Sequence, residues 1–425
     1  MSMQCADGTI TLTTGAIGTT FTVSGLAFQP KAIFLFWSGS ATIGQGEADH
    51  KFGVGMAIGT TTRRAYTTQS DHGVTTAAAD CARYNDCCVA TLTTAGVIDG
   101  KADLDAVTSD GFRLIIDDVF SAGLLVGWMA WGGTDLTDVA IVDFTAPAAT
   151  GNQDYNVGFA LDTGLDDKAI IFAGGAAIFG TPTTYSALNF GAAAGNAPVN
   201  AILAGSSADG AATSQTCSYC RIGDCVAEAA ADGVWERGSV TTWLPTGFRI
   251  NWPEVDGSGD GYSALVLKGG RWQIGNALTS TGISNQVEPT TYVPKGLLIA
   301  SHGNAESTSD ITQPGDERSI GVATSATSRR CAAVLDKDAA ATMGIGIAFS
   351  ETAMYINQST AATIVQEGAM DLVSFDSTPG FTYVMDDADP VAAFFWYLLA
   401  ADAPAGFIRT QLAGGMNELR GGMYG

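Results

Sequence analysis

Apolar positions along this chain fall into short runs separated by turns rich in glycine and aspartate. Three of these runs recur in a fixed order. The first follows a lysine: Pro30-Lys31-Ala32-Ile33-Phe34-Leu35-Phe36, Asp167-Lys168-Ala169-Ile170-Ile171-Phe172 and Pro294-Lys295-Gly296-Leu297-Leu298-Ile299, spaced by 137 and 127 residues. Only seven lysines exist in the chain, and three of them stand here. The second begins at Gly-Phe: Gly111-Phe112-Arg113, Gly247-Phe248-Arg249 and Gly380-Phe381-Thr382, spaced by 136 and 133. The third is a closing apolar run: Leu124 to Trp131, Tyr262 to Leu267 and Ala393 to Leu399. Weaker matches lie between, at Gly53-Val54-Gly55-Met56-Ala57, Asn189-Phe190-Gly191-Ala192 and Ile320-Gly321-Val322-Ala323.

Each run has a physical reading. An unbroken apolar stretch after the lysine suits a strand buried on both faces, with the lysine stem on the rim and its ammonium in water. Phe112, Leu114 and Ile116 alternate with Arg113 and Ile115, as on a strand with one face inward. Gly111, Gly247 and Gly380 each follow a turn, where a positive φ is often needed. With the extended runs near Thr9 to Val23 and Phe52 to Ile58, the pattern predicts seven or eight strands per unit. The expected fold is all-β: three tandem antiparallel β-sandwich domains, jelly-roll-like or immunoglobulin-like, from an internal triplication. Their expected bounds are 1–140, 141–277 and 278–402, followed by a Gly/Met-rich C-terminal tail over 403–425. Short linkers predict a compact or gently bent row with separate interiors; a pseudo-threefold cluster is the other arrangement they allow.

Composition agrees with strands rather than long helices: 53 glycines, 46% hydrophobic and 15% charged residues. Twenty basic against 43 acidic residues leave a formal charge of −23. Such a surface repels a phosphate backbone, so nucleic acid is not an expected partner. No apolar run reaches the length of a membrane span. The stretch from Met1 to Thr11 lacks the basic-then-apolar order of a secretory signal.

Candidate chemistry is sparse. Cys217, Cys220 and Cys225 lie at nearly the same offset in the second unit as Cys81 and Cys88, with Cys87, in the first. A loop disulfide, free thiols and a metal site are the readings weighed for them. Asp256, Ser258 and Asp260 resemble the first half of a calcium loop, but the twelfth position is Leu267 rather than Glu; a hairpin turn is the alternative. His50, His72 and His302 read as surface or turn residues. No nucleophile elbow, phosphate loop or zinc-protease motif is present, and no catalytic residue is nominated. Trp37, Trp128, Trp131 and Trp396 read as core, while Trp235 and Trp243 sit among polar residues and are the better candidates for exposure to a sugar. In the tail, Met416, Arg420, Met423 and Tyr424 are candidates for contact with a partner, as an arm ordering on a neighbouring subunit; a frayed terminus is the alternative.

The phrase Phe28-Gln29-Pro30-Lys31-Ala32-Ile33-Phe34-Leu35-Phe36-Trp37, with its later Gly-Phe strand, resembles repeats in structural proteins of tailed bacteriophages. The second and third units lack counterparts of Phe28, Gln29 and Trp37. The resemblance implies a non-enzymatic virion component on the outside of the particle: a head decoration, tail or fibre-associated protein. It would be made in the host cytoplasm without a signal peptide and would assemble as a homo-oligomer with other virion proteins. A receptor- or glycan-binding adhesin using loops of the same domains is the alternative, with a host surface glycan as partner. A polysaccharide-degrading enzyme is the more distant one.

Overall fold

The computed structural model describes residues 2–175, 178–230, 233–307, 312–358 and 364–404. Among them no helix forms, and 32 strands pair into six sheets. The first strand group comprises β1 (Met3–Leu12), β2 (Thr20–Val23), β3 (Pro30–Trp37), β4 (Gly44–Glu47), β5 (Gly53–Ile58), β6 (Thr62–Ser70), β7 (Ala79–Tyr84), β8 (Val89–Leu92), β9 (Ile98–Thr108), β10 (Gly111–Asp118) and β11 (Leu124–Gly133). The second comprises β12 (Leu136–Thr145), β13 (Gly151–Asn156), β14 (Lys168–Gly175), β15 (Tyr185–Ala194), β16 (Val199–Ala208), β17 (Thr216–Ile222), β18 (Val226–Ala230), β19 (Gly233–Leu244), β20 (Gly247–Glu254) and β21 (Gly261–Gly269). The third comprises β22 (Arg271–Leu278), β23 (Gln286–Pro289), β24 (Gly296–Ser301), β25 (Gln313–Pro314), β26 (Asp316–Ser325), β27 (Ser328–Asp336), β28 (Ile345–Ser350), β29 (Tyr355–Gln358), β30 (Gln366–Phe375), β31 (Gly380–Asp387) and β32 (Phe394–Ala401).

One strand order occurs three times. Within each group one sheet runs β1-β11-β3-β5-β6-β7, β12-β21-β14-β15-β16-β17 or β22-β32-β24-β26-β27-β28. The other runs β2-β10-β9-β8, β13-β20-β19-β18 or β23-β31-β30-β29. That makes ten corresponding strands per group, more than the seven or eight expected. The boundaries also differ. β11 passes into β12 through Thr134 and Asp135, and β21 into β22 through Gly270, so the expected divisions at 140 and 277 fall inside β12 and β22. A Gly-Gly pair marks each changeover, Gly132-Gly133 and Gly269-Gly270, whereas Pro147 lies between two strands of the second group.

β4 and β25 stand outside the common order, and they explain how the groups meet. β25, from the third group, extends the second group's sheet by pairing with β17. β4, from the first group, extends the third group's sheet by pairing with β28. At the edge of the first group's sheet, Cys81 bridges to Thr183 and Arg83 to Phe179, both from the second group. The edge strand of every group is therefore covered by the next group in cyclic order. Each contact shields part of one sheet edge, a potential template for association with other chains, while β1, β12 and β22 remain terminal in their sheets. The circle closes at its ends: Asp402 Oδ1 accepts from Met3 N at 2.8 Å, and Ala403 N donates to Asp135 Oδ2 at 3.0 Å.

The interiors follow from the sequence runs. In β3, Ile33, Leu35 and Trp37 face a hydrophobic cluster between the two sheets of the first group. Phe34 and Phe36 face the other way, into a larger cluster contributed by all three groups. β14 and β24 divide likewise: Ile170 and Phe172, and Leu297 and Ile299, face their own group, while Ile171 and Leu298 face the common cluster. The ring of Phe190 stacks between Phe34 at 5.2 Å and Trp396 at 5.5 Å, joining the three groups at this point. A row with only separate interiors is thus not what forms. Each group keeps its own interior and shares a further one, because its six-stranded sheet is apolar on both faces.

The recurring glycines are set by close approach. Gly55, Gly191 and Gly321 each lie against a backbone carbonyl, of Cys88, Cys225 and Met354, at a place where a Cβ would overlap it. Gly111 and Gly247 meet the carbonyls of Val23 and Tyr155 in the same way. Contrary to expectation, neither they nor Gly380 adopts a positive φ. The three lysines also diverge. Lys31 and Lys295 are exposed, but Lys168 is fully buried, donating to Leu165 O and Thr163 Oγ1.

Candidate functional site

Counting from the three crowded glycines places corresponding positions at one end of each group. Four residues before them, at the start of the strand, stand Lys51, Ala187 and Glu317. Three residues after the crowding carbonyls stand Thr91, Glu228 and Asn357, on β8, β18 and β29. Opposite these, each ladder carries a β-bulge, and the residues left out of register are Asp99, Trp235 and Glu367. A bulge re-aims the side chain it leaves unpaired, so one backbone device presents three different residues at the same place.

The chemistry differs at each. In the first group, Lys51 Nζ lies 2.6 Å from Asp99 Oδ2, and Thr91 Oγ1 donates to the same oxygen at 3.1 Å. That ion pair fills the position. In the third group, Glu317 Oε1 accepts from Gln358 N at 3.1 Å, and Asn357 Nδ2 donates to Asp389 Oδ1 at 3.2 Å. A cleft of 680 Å³ remains there. In the second group the corresponding residue is Ala187, which packs against Cys81. A cleft of 830 Å³ opens between Tyr185, Ser207, Glu228, Trp235 and Ser258, and is closed on one side by Asp338 of the third group.

Behind this cleft lies a cluster of acids. The Glu228 and Asp260 carboxyls face each other within hydrogen-bonding reach. Two carboxylates cannot share such a contact, so a proton is held between them. Burial, then the charge of Asp260, pushes Glu228 up to about 10. Burial raises Asp260 as well, against which the Arg83 guanidinium acts in the opposite direction. Glu236, which accepts from the Tyr262 hydroxyl, is pushed up to about 8 by burial. Arg83 reaches in from the first group, its guanidinium 4.1 Å over the Phe179 ring and packed on Gly261, where a side chain would overlap it.

The calcium-loop reading is corrected here. Asp256 Oδ1 accepts from Ser258 N at 2.7 Å, and Gly257 and Gly259 turn the chain with φ of +80° and +74°. Asp260 is 2% exposed, and its carboxyl is already engaged by Glu228 and by the Ser258 hydroxyl. Among the described residues no three His, Cys, Asp or Glu side chains converge to hold a metal.

The disulfide reading is corrected too, since Cys81, Cys88, Cys217, Cys220 and Cys225 are all free thiols. Cys217 and Cys220 are three apart on an extended strand and so face opposite sides, Cys220 toward the common interior and Cys217 away from it. Cys225 and Cys88 lie in the interiors of separate groups. Cys81 Sγ pairs with Thr183 Oγ1 at 3.1 Å and Cys217 Sγ with Ser206 Oγ at 3.2 Å. Burial raises the Cys81 and Cys217 thiols to about 12.

Two histidines are not on the surface. His50 is fully buried, its Nδ1 lying 2.7 Å from Asp336 Oδ1 of the third group, beside Arg318 and Asp316. His302 is fully buried too, and desolvation holds it down to about 3. His72 Nδ1 accepts from Ile345 N at 3.1 Å. Trp37, Trp128, Trp131 and Trp396 are core as expected, and Trp235 is 47% exposed. Trp243 is buried instead, donating to Gly195 O at 2.8 Å. Met416, Arg420, Met423 and Tyr424 lie outside the described residues.

Sequence reasoning missed Glu228 and Glu236. A signal existed for Glu228, an acid among apolar neighbours on the short strand β18, where a charge at an inward position has to be explained; Glu236, between Trp235 and Arg237 on the 12-residue β19, carried none. Compared with protein-family models and with curated proteins, the chain matches none.

Proposed function

We propose that the chain is a non-enzymatic structural protein of a virion, built of three tandem antiparallel β-sandwich domains from an internal triplication. In this reading it serves as a head decoration, tail or fibre-associated protein. It joins other virion proteins through its domain surfaces, with residues 403–425 as an arm on a neighbouring copy. The observation that carries the reading is the cyclic covering of sheet edges by β25, by β4 and by the bridges at Cys81 and Arg83. A homotrimer achieves such closure only by association, whereas one polypeptide achieves it at any concentration. That suits a rigid building block, and the −23 charge keeps free copies apart until a specific interface forms.

The test is immunogold labelling and electron microscopy of purified phage particles from cells in which the chain is made, with and without residues 405–425. The expected result is label on the particle exterior, lost or weakened by the truncation. Label confined to host material, with none on particles, would overturn the proposal.

A further inference from the structure

We propose that the cleft of the second strand group is a binding site for a neutral saccharide, with the sugar face on Trp235 and its hydroxyls donating to the exposed carboxylates of the wall, Asp209, Asp256 and Asp338. The inference goes beyond the virion role and does not depend on it. Of the eight tryptophans, seven are at most 7% exposed, whereas Trp235 is 47% exposed at the cleft wall. It is also the residue that the β18–β19 bulge releases from the ladder. A flat, largely apolar ring with a polar surround is the surface on which the C–H face of a pyranose packs.

The remaining lining decides the ligand's charge. Among the described residues no lysine or arginine lines this cleft, while Asp209, Asp256 and Asp338 do. Phosphate, sulfate and acidic sugars are therefore repelled. At the floor, Glu228 and Asp260 share one proton and so keep one negative charge between them, which adds to the repulsion of anions. The 830 Å³ volume lies within the range of about 300–1,000 Å³ typical of small-molecule sites. The other two groups lack the feature. Lys51 and Asp99 close the first position, and Glu367 replaces the aromatic ring in the third.

The experiment uses the full chain and isothermal titration calorimetry, which reads binding equally in variants that lack Trp235. Neutral oligosaccharides of glucose, galactose, mannose and N-acetylglucosamine are titrated beside a sialylated trisaccharide and spermidine. The expected result is saturable binding of at least one neutral sugar, weakened tenfold or more in Trp235→Ala and retained within about threefold in Trp235→Phe, which keeps a ring. Circular dichroism checks that both variants fold. Absence of binding by every neutral sugar, unchanged affinity in Trp235→Ala, or binding by the sialylated sugar or spermidine alone would each overturn the proposal. None of these outcomes bears on whether the chain is found on particles.

Discussion

Replacing Phe190 by alanine tests whether the three strand groups unfold as one body. Phe190 is fully buried in the common interior, with ring contacts to the first group through Phe34 at 5.2 Å and to the third through Trp396 at 5.5 Å. Removing a buried phenylalanine costs about 3–5 kcal/mol. The unfolding entropy is about 2.1 cal/mol/K per residue, so cooperative melting of all 425 residues carries about 0.9 kcal/mol/K. Phe190→Ala should then lower a single Tm by roughly 3–6 °C. If the groups melted separately, one body of about 140 residues would absorb the whole loss, and its transition would fall by roughly 10–17 °C while two others stayed in place. Differential scanning calorimetry distinguishes these outcomes directly. A double-mutant cycle with Phe34→Ala should add a coupling of about 0.5–1.5 kcal/mol between residues 156 positions apart. Separate transitions, or zero coupling, would refute the shared interior as an energetic unit.

Gly55→Ala, Gly191→Ala and Gly321→Ala should each destabilise by several kcal/mol, because the added Cβ meets fixed backbone rather than a movable side chain. Gly123→Ala, whose nearest neighbour would be 3.5 Å away, should be tolerated; urea midpoints measure all four. Stability should fall as pH rises through the neutral range. Glu228 and Glu236 have folded-state pKa values raised to about 10 and about 8, so the folded chain binds more protons than the unfolded one above the ordinary glutamate range. Each group contributes a loss on the order of one kcal/mol per pH unit, beginning near pH 4.5 and ending at its folded value. Glu228→Gln should flatten that slope and be more stable than the parent at pH 8, and an unchanged slope in denaturation from pH 5 to 9 would contradict the assignment. The native chain should react slowly with a thiol reagent at Cys81 and Cys217, since burial disfavours their thiolates; rapid labelling of either, located by mass spectrometry, would show that its environment is wrong.

The elements most legible in the sequence were those under the strongest steric demand. The lysine-led and closing runs could be read as strands because both of their faces are buried. The same unbroken apolarity held the clue to the common interior: a sheet exposed on one side would alternate, as β10 does with Phe112, Leu114 and Ile116 inward and Arg113 outward. The glycines after the turns were recognised as recurrent, but their cause was not, because a carbonyl from a distant strand leaves no local trace. β4 and β25 were illegible for a related reason. Gly44-Gln45-Gly46-Glu47 and Gln313-Pro314 have no strand pattern of their own, and they extend only because a foreign edge offers them hydrogen bonds. The acids behind the cleft escaped notice because Glu228, Glu236 and Asp260 are spread over 32 residues and meet only through topology.

Sharing an interior and sharing edges constrain different parts of the chain. The common interior fixes β3, β14 and β24 and the strands beside them, so substitution there is felt by all three groups at once. The bulged positions on β9, β19 and β30 lie at the far side of the smaller sheets and carry no such duty. There Asp99, Trp235 and Glu367 occupy one backbone geometry with an ion-pair partner, an aromatic ring and a second acid. The cost of changing such a residue stays local, whereas the frame that aims it is held by contacts between groups. A closed threefold frame can therefore keep its shape while its three ends diverge in chemistry. On this argument, exchanging Glu367 for another polar residue should leave the melting temperature nearly unchanged, while Phe190→Ala should lower it.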